Sequence, residues 1–421
     1  MALSFDRIKK NIARKRVKNL LRRPSVYAIT QKMLRRNIIT LPYKATAEML
    51  DFALEKTKKA YRTHNPSVWS NAFFPTELLY ALDITPFSPE AAAAVVASIG
   101  QQEDFLSEAE SKWWSRDNCS FHRCAMGAFY SGFFPLPDAF CSTTHLCDSA
   151  VFAFNNLSQS GERPFLLIDV PPTRDENSLN YVKAQLHKIV PLLEDLSARN
   201  LELEKLEEAV ANVELGRQAM IRLNNVRRNY RSPFTPNEAF IYLYLYFTGL
   251  GSPELPRIYN LLADEIQEKI DNGEGLQENP RIRLLWLHLY PFYNSGILHY
   301  LESKGVRVVF EEFSHVYWGE MNPARPLDSI AERLLSHFNY GHVEDRVNVI
   351  KELAEAYEVD GVVHFTHWCC RQSSGSLDIV KDKLRRKGIP FLILDGDCID
   401  GRNYASGQLQ TRIDSFIEML S

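Results

Sequence analysis

Seven cysteines are the residues of this chain best suited to chemistry. They fall in two groups: Cys119, Cys124, Cys141 and Cys147, then Cys369, Cys370 and Cys398. An odd count in a large chain with no apolar secretory leader argues against a disulfide framework. Three readings of the thiols stay open. They can be small buried hydrophobes without reactivity. They can hold zinc, with His122, His145, His364 and His367 as further ligands, although the paired CxxC spacing usual for zinc is missing. They can hold an iron–sulfur cluster, which soft thiolates drawn from separate loops can wrap. Spacing alone favours the cluster without excluding the other two.

The elements that must position these thiols alternate between strand and helix. Residues 1–64 read as an N-terminal helical segment that stops near the Asn65-Pro66 turn signal. From 65 to 177 the pattern is that of a first α/β domain, with strands at 137–142 and 165–170 and a helix over 88–99. Between 178 and 278, Leu, Glu, Lys and Ala dominate and the apolar period is helical. This stretch reads as a helical insertion with long helices around 178–198 and 203–230. A second α/β domain, 279–421, carries apolar runs at 283–289, 307–312, 361–365 and 391–395, each preceded by a helical pattern. The expected fold class is α/β: two Rossmann-like parallel-sheet domains with an N-terminal helical segment and a helical insertion between them.

In such sheets ligands bind beyond the carboxyl ends of the strands. Cys141 and Cys147 come at and just after the end of the 137–142 strand. Cys369 and Cys370 follow the 361–365 strand, and Cys398 follows the 391–395 strand. Cys119 and Cys124 are expected to precede a helix opened near Asp117-Asn118 or Ser120. Several thiols therefore gather on the face where an open sheet carries its ligand.

The composition excludes some partners. Across 421 residues the formal net charge is -3, which leaves no basic excess to neutralise nucleic-acid phosphates. Lys9, Lys10, Arg14, Lys15, Arg16, Lys18, Arg22 and Arg23 are interspersed with Ile8, Ile12, Val17, Leu20 and Leu21 at helical spacing, which reads as a basic amphipathic helix. A solvated face or an acidic partner suits it better than a membrane surface. No apolar run approaches the roughly 20 residues that span a bilayer. The expectation is a soluble, cytoplasmic protein that binds neither nucleic acid nor membrane.

Over about 65 to 421 the chain resembles the 2-hydroxyacyl-CoA dehydratase family, also called benzoyl-CoA reductase-like. The resemblance is carried by Phe74-Pro75-Thr76-Glu77-Leu78 with Pro86-Phe87, by Asp117-Asn118-Cys119-Ser120 leading to Gly127, and by Pro135-Leu136-Pro137-Asp138 with Cys147-Asp148. It continues through His367-Trp368-Cys369-Cys370-Arg371-Gln372, Asp395-Gly396-Asp397 with Asp400 and Arg402, and Gln408, Thr411-Arg412 and Phe416-Ile417-Glu418. The resemblance implies a [4Fe-4S] cluster held by three cysteines, matched here by Cys119, Cys147 and Cys370. It also implies an ATP-hydrolysing activator protein, with its own [4Fe-4S] cluster, as electron donor. The chain has no GxxxxGK[ST] loop, which fits nucleotide hydrolysis by a partner.

Beside each matched cysteine stands another. That doubling resembles the double-cubane cluster branch of the family, whose members reduce small molecules. The resemblance then implies an anaerobic iron–sulfur oxidoreductase with a double-cubane [8Fe-9S] cluster on Cys119, Cys124, Cys147, Cys369, Cys370 and Cys398, working as a homodimer. The alternative is a 2-hydroxyacyl-CoA dehydratase subunit, a lyase with a single [4Fe-4S] cluster acting by a ketyl radical. Cys141 is left out because strand alternation points it into the sheet.

Residues around the thiols carry further expectations. Glu77 caps a helix turn or faces the cluster pocket as acid or base. His145 and His367, two or three residues from matched cysteines, either donate hydrogen bonds to sulfur and deliver protons, or simply pack. Arg371 offsets the charge of a reduced cluster or pairs with Asp397 or Asp400. Asp395, Asp397 and Asp400 read as a turn and cap rather than an oxygen-ligand metal loop.

Overall fold

A computed structural model describes residue 20 and residues 23–36, 41–61 and 65–421. The basic amphipathic helix expected at the N-terminus lies outside the described residues, apart from Leu20 and Arg23. Helices α1 (Pro24–Arg35) and α2 (Lys44–Ala60) lead into the first α/β unit. This runs β1 (Ser67–Ser70), α3 (Thr76–Ala81), β2 (Thr85–Phe87), α4 (Pro89–Ser98), α5 (Gln102–Ser111), α6 (Ser120–Tyr130), β3 (Ala139–Thr143), α7 (Asp148–Gly161) and β4 (Phe165–Ile168). Long helices follow: α8 (Glu176–Ser197), α9 (Leu203–Val226), α10 (Pro236–Thr248) and α11 (Glu254–Asp271). The second unit runs β5 (Ile282–Leu287), α12 (Ile297–Ser303), β6 (Val306–Glu311), α13 (Pro326–Leu335), α14 (Val343–Ala356), β7 (Gly361–His367), α15 (Arg371–Ser374), α16 (Leu377–Arg386), β8 (Phe391–Gly396) and α17 (Ser406–Leu420).

Both sheets are parallel, with strand orders β2-β1-β3-β4 and β6-β5-β7-β8. The fold is α/β with two Rossmann-like sheets, as the alternating pattern implied. Each sheet is wound outward from its central pair, so the chain switches direction between β1 and β3 and again between β5 and β7. Those two switch points open at the strands' carboxyl ends, where crevices form. The central strands are rich in apolar residues because helices cover the sheets; every residue of β5 is buried.

Helix starts follow local chemistry. The Ser88 hydroxyl accepts from the Ala91 amide at 3.2 Å ahead of α4. Thr235 and Glu238 form a reciprocal capping box at α10, with Pro236 in its first turn. Apolar packing joins the two halves. One buried cluster takes in Trp69 and Phe140 from the first sheet, Trp286, Phe365 and Leu394 from the second, and Phe240 and Leu243 from α10. Another joins α3 to α8, α9, α11 and α13. The crevices therefore face each other across a packed seam.

Candidate metal centre

Four loops at strand ends or helix starts carry thiols to this seam. Cys119 is the N-cap of α6, and Cys147 is the N-cap of α7, reached from β3 through Leu146 at φ +64°. Cys370 stands just before α15, after Cys369 at φ +67°, and Cys398 follows β8. A side chain in the left-handed region is strained, and such strain concentrates at functional sites. Cys369 therefore leaves the extended path of β7, and the chain turns there before α15.

A polar clasp holds the first-sheet and second-sheet loops together. Ser120 Oγ donates to Asp397 Oδ1 at 2.5 Å, and the same oxygen accepts the Ile399 and Asp400 amides at 2.8 and 2.7 Å. Arg123 bridges Asp400 (3.0 Å) and Glu110 (2.8 Å), and Arg402 pairs with both of those carboxylates. Asp397 and Asp400 thus act as turn and cap groups, and they pin the Cys398 loop to the helix that begins at Cys119. Arg371 does not pair with either. It is exposed and forms an ion pair with Asp148, joining the start of α15 to the start of α7.

The thiols feel one another. Burial pushes the Cys119 thiol up, helped by Cys370 and Asp397, while the Phe121 and His122 amides oppose the rise. Burial also raises Cys147, followed by Cys119, Glu90 and Cys370. Cys398 is raised by burial and then by Asp397, Cys119 and Cys370. Cys369 is exposed, yet burial of its sulfur and Asp397 still raise it. Each anionic sulfur would disfavour the next, so a cationic centre is what would let several ionise together. Among the described residues, no three His, Cys, Asp or Glu side chains close on a single ion-sized point.

The remaining expected residues are placed as follows. Cys124 does not precede a helix; it lies inside α6, buried in the apolar cluster. Cys141 sits in the middle of β3, raised by burial alone. Glu77 is fully buried and accepts two hydrogen bonds from Arg333 of α13, at 3.0 Å each. His145 is also fully buried, packed between Phe73 and Tyr340, with no hydrogen-bond partner for either ring nitrogen. Burial and Arg333 push its pKa down to about 3. His367 lies with its Nε2 3.3 Å from the Cys119 sulfur.

Sequence reasoning weighed His122 only as a zinc ligand and passed over His288 and Glu90. His122 Nε2 is 3.3 Å from Cys147 Sγ, and His288 Nε2 is 3.7 Å from Cys370 Sγ. His122 stands one helical turn after Cys119, a spacing that could have flagged it. His288 was hidden because β5 ends at Leu287 rather than 289, which leaves His288 at the strand's carboxyl end with φ +66°. Glu90, half-buried in the first turn of α4 and within electrostatic reach of Cys147, has its pKa raised to about 7 by burial. The carboxyl end of β1 also holds buried polar atoms without partners, Ser70 Oγ and Asn71 Oδ1.

The family model for the 2-hydroxyglutaryl-CoA dehydratase D-component matches residues 71–420. The (R)-2-hydroxyisocaproyl-CoA dehydratase alpha subunit of Clostridioides difficile is 24% identical over 384 residues, 86% of this chain and 92% of its own length. The (R)-phenyllactyl-CoA dehydratase alpha subunit of Clostridium sporogenes is 23% identical, covering 84% and 89%. A benzoyl-CoA reductase subunit of Thauera aromatica is 22% identical, covering 82% and 86%. The match takes in every strand after β1 and every loop that brings a thiol to the seam, so this chain belongs to the 2-hydroxyglutaryl-CoA dehydratase D-component family, and these relatives are named as subunits of 2-hydroxyacyl-CoA dehydratases and of a benzoyl-CoA reductase.

Proposed function

We propose that the chain is an iron–sulfur reductase that receives low-potential electrons from an ATP-hydrolysing activator protein, itself bearing a [4Fe-4S] cluster, and reduces a small substrate in the seam between its sheets. The observation that carries this reading is the meeting of Cys119, Cys147 and Cys370, from three distant stretches of chain, within electrostatic reach of one another. The donor set fits an iron–sulfur group: soft sulfur ligands, mostly buried, on separate loops. Those three would hold it, with Cys398 and Cys369 close enough to take part in a double-cubane [8Fe-9S] arrangement; Cys124 would complete the six. When bound, such a group supplies one-electron chemistry at low potential.

The chain's own residues do the rest. The apolar seam excludes water, and the Arg123–Asp400–Arg402–Glu110 clasp keeps the loops of the two sheets in register. Ser70, Asn71 and His145 offer unmatched hydrogen-bonding atoms at the first switch point, where a polar substrate group would find partners. Glu77 acts on that pocket through Arg333, which neighbours His145.

A second reading is a 2-hydroxyacyl-CoA dehydratase subunit with a single [4Fe-4S] cluster. It is favoured by relatives named as alpha and beta subunits of such enzymes, which also makes a second, different chain, rather than a homodimer, the assembly to test. No helix among the described residues is long and apolar enough to cross a membrane. Iron and sulfide analysis with electron paramagnetic resonance on anaerobically purified protein separates the readings: about eight iron atoms per chain for the double cubane and about four for the single one. A chain that binds zinc, or no metal, refutes both.

A further inference from the structure

We propose that His122, His288 and His367 are three positioning residues that each aim an Nε2–H at one thiol of the site, Cys147, Cys370 and Cys119 respectively, and so set the reduction potential of the group those sulfurs hold. The inference rests on the iron–sulfur reading above and adds to it three donors, one for each of Cys119, Cys147 and Cys370. The three contacts are 3.3, 3.7 and 3.3 Å. All three imidazoles are buried, at 2, 5 and 2% exposure, so none is a surface side chain that happens to lie nearby.

The tautomer of one can be deduced. His367 Nδ1 accepts the Cys398 backbone N–H at 3.1 Å, so its lone pair lies there. A neutral imidazole then carries its proton on Nε2, which faces the Cys119 sulfur as a donor. This ring spans the two halves, because it stands on β7 and reaches the N-cap of α6. His122 has no partner at Nδ1, which leaves the sulfur as the neighbour of its other nitrogen; the His288 ring meets the Phe365 backbone as well as the Cys370 sulfur.

His288 is held in place from behind. Its backbone amide donates to Glu312 Oε2 at 3.0 Å, and Arg346 grips that carboxylate at 2.8 and 2.9 Å. The rings of His288 and His367 lie 13° from parallel with centroids 6.4 Å apart, so the two imidazoles pack side by side at the site. A hydrogen bond to a ligand sulfur stabilises the state in which that sulfur is more negative, the reduced one, and raises the potential.

The test uses the full chain loaded with iron anaerobically, with His122→Leu, His288→Leu and His367→Leu and the matching Gln variants, whose amide N–H restores a donor. Redox titration followed by electron paramagnetic resonance reads the midpoint, and iron analysis reads occupancy. Each Leu variant is expected to lower the midpoint by roughly tenfold in the redox equilibrium, about 59 mV for one electron, with Gln recovering part of it. Unchanged midpoints in all three Leu variants at wild-type iron content overturn this inference and leave the cluster reading standing. A wild-type chain that takes up no iron overturns both. Should a Leu variant lose its iron, the Gln variant decides: a near-wild-type midpoint supports the donor role, and one lowered in full overturns it.

Discussion

Removing Arg333 should be far more damaging than removing Arg333 and Glu77 together. The pair is almost completely dry, at 1% and 0% side-chain exposure, and is joined by two charge-assisted hydrogen bonds of 3.0 Å. Arg333→Met keeps much of the volume but leaves a carboxylate buried opposite a thioether. An uncompensated buried charge of this kind costs about 3–5 kcal/mol. Tyr246 and Tyr317 stand beside the arginine, and a tyrosine hydroxyl can turn toward the stranded carboxylate, so the lower end, about 3 kcal/mol, is the better figure. Glu77→Leu should cost a similar amount for the mirror-image reason. In the double variant both desolvation penalties vanish, and apolar replacements of buried pairs are often near neutral. The cycle should therefore close with a coupling of at least about 2 kcal/mol. Urea titrations of the four proteins, followed by tryptophan fluorescence and far-UV circular dichroism, measure it, with both probes needed to show a single transition. Single variants within about 1 kcal/mol of wild type, or a double variant as unstable as the sum of the singles, would falsify the claim that this is a desolvated pair.

Two further predictions concern the loops and the crevice. At Gly127 a Cβ would lie 1.8 Å from the Phe105 carbonyl oxygen, where α6 crosses α5, so Gly127→Ala forces the two backbones apart. A loss of at least about 1–3 kcal/mol in stability is expected, together with reduced iron uptake, because α6 carries Cys119 and His122; an unchanged melting temperature would show that the crossing is not tight. Glu90, with its pKa raised to about 7 in the folded chain, binds more protons folded than unfolded. Its contribution is therefore complete below its unfolded pKa and is lost as pH rises through about 7. Relative to wild type, Glu90→Gln should gain up to roughly 3 kcal/mol between about pH 5 and about pH 8. Parallel melting curves of the two proteins across that range would refute it.

How much was legible depended on what each element buries. Strands β3 to β8 lie under helices, so they stand in the sequence as short, largely apolar runs. Strand β1 hides because Ser67 and Ser70 flank only Val68 and Trp69. Strand β2 is three residues long with Pro86 at its centre, tolerable only because it is an edge strand paired on one side. The thiol loops could be placed because they follow legible strands. Their neighbours could not: contacts such as His367 to Cys119 and Arg333 to Glu77 join residues far apart in sequence, and His288 depends on a left-handed backbone residue that no propensity announces.

The same features that made the site hard to read explain why the two sheets must stay together. Cys119 and Cys147 belong to one sheet and Cys370 and Cys398 to the other, so a metal group held by Cys119, Cys147 and Cys370 together would need both sheets in place. The clasp around Asp400 and Asp397 is buried, and buried charge is seldom the most effective way to stabilise a fold. Its use lies in specificity: each carboxylate accepts donors from both halves, so only one relative placement leaves every charge paired. An apolar seam alone could slide by a residue at little cost. With the clasp in place, a slip that moved Cys398 away from Cys119 would also take Asp400 from Arg123, leaving that buried guanidinium with Glu110 alone. The ion pairs therefore set the register of the sulfurs, and the apolar packing supplies the stability that offsets their desolvation.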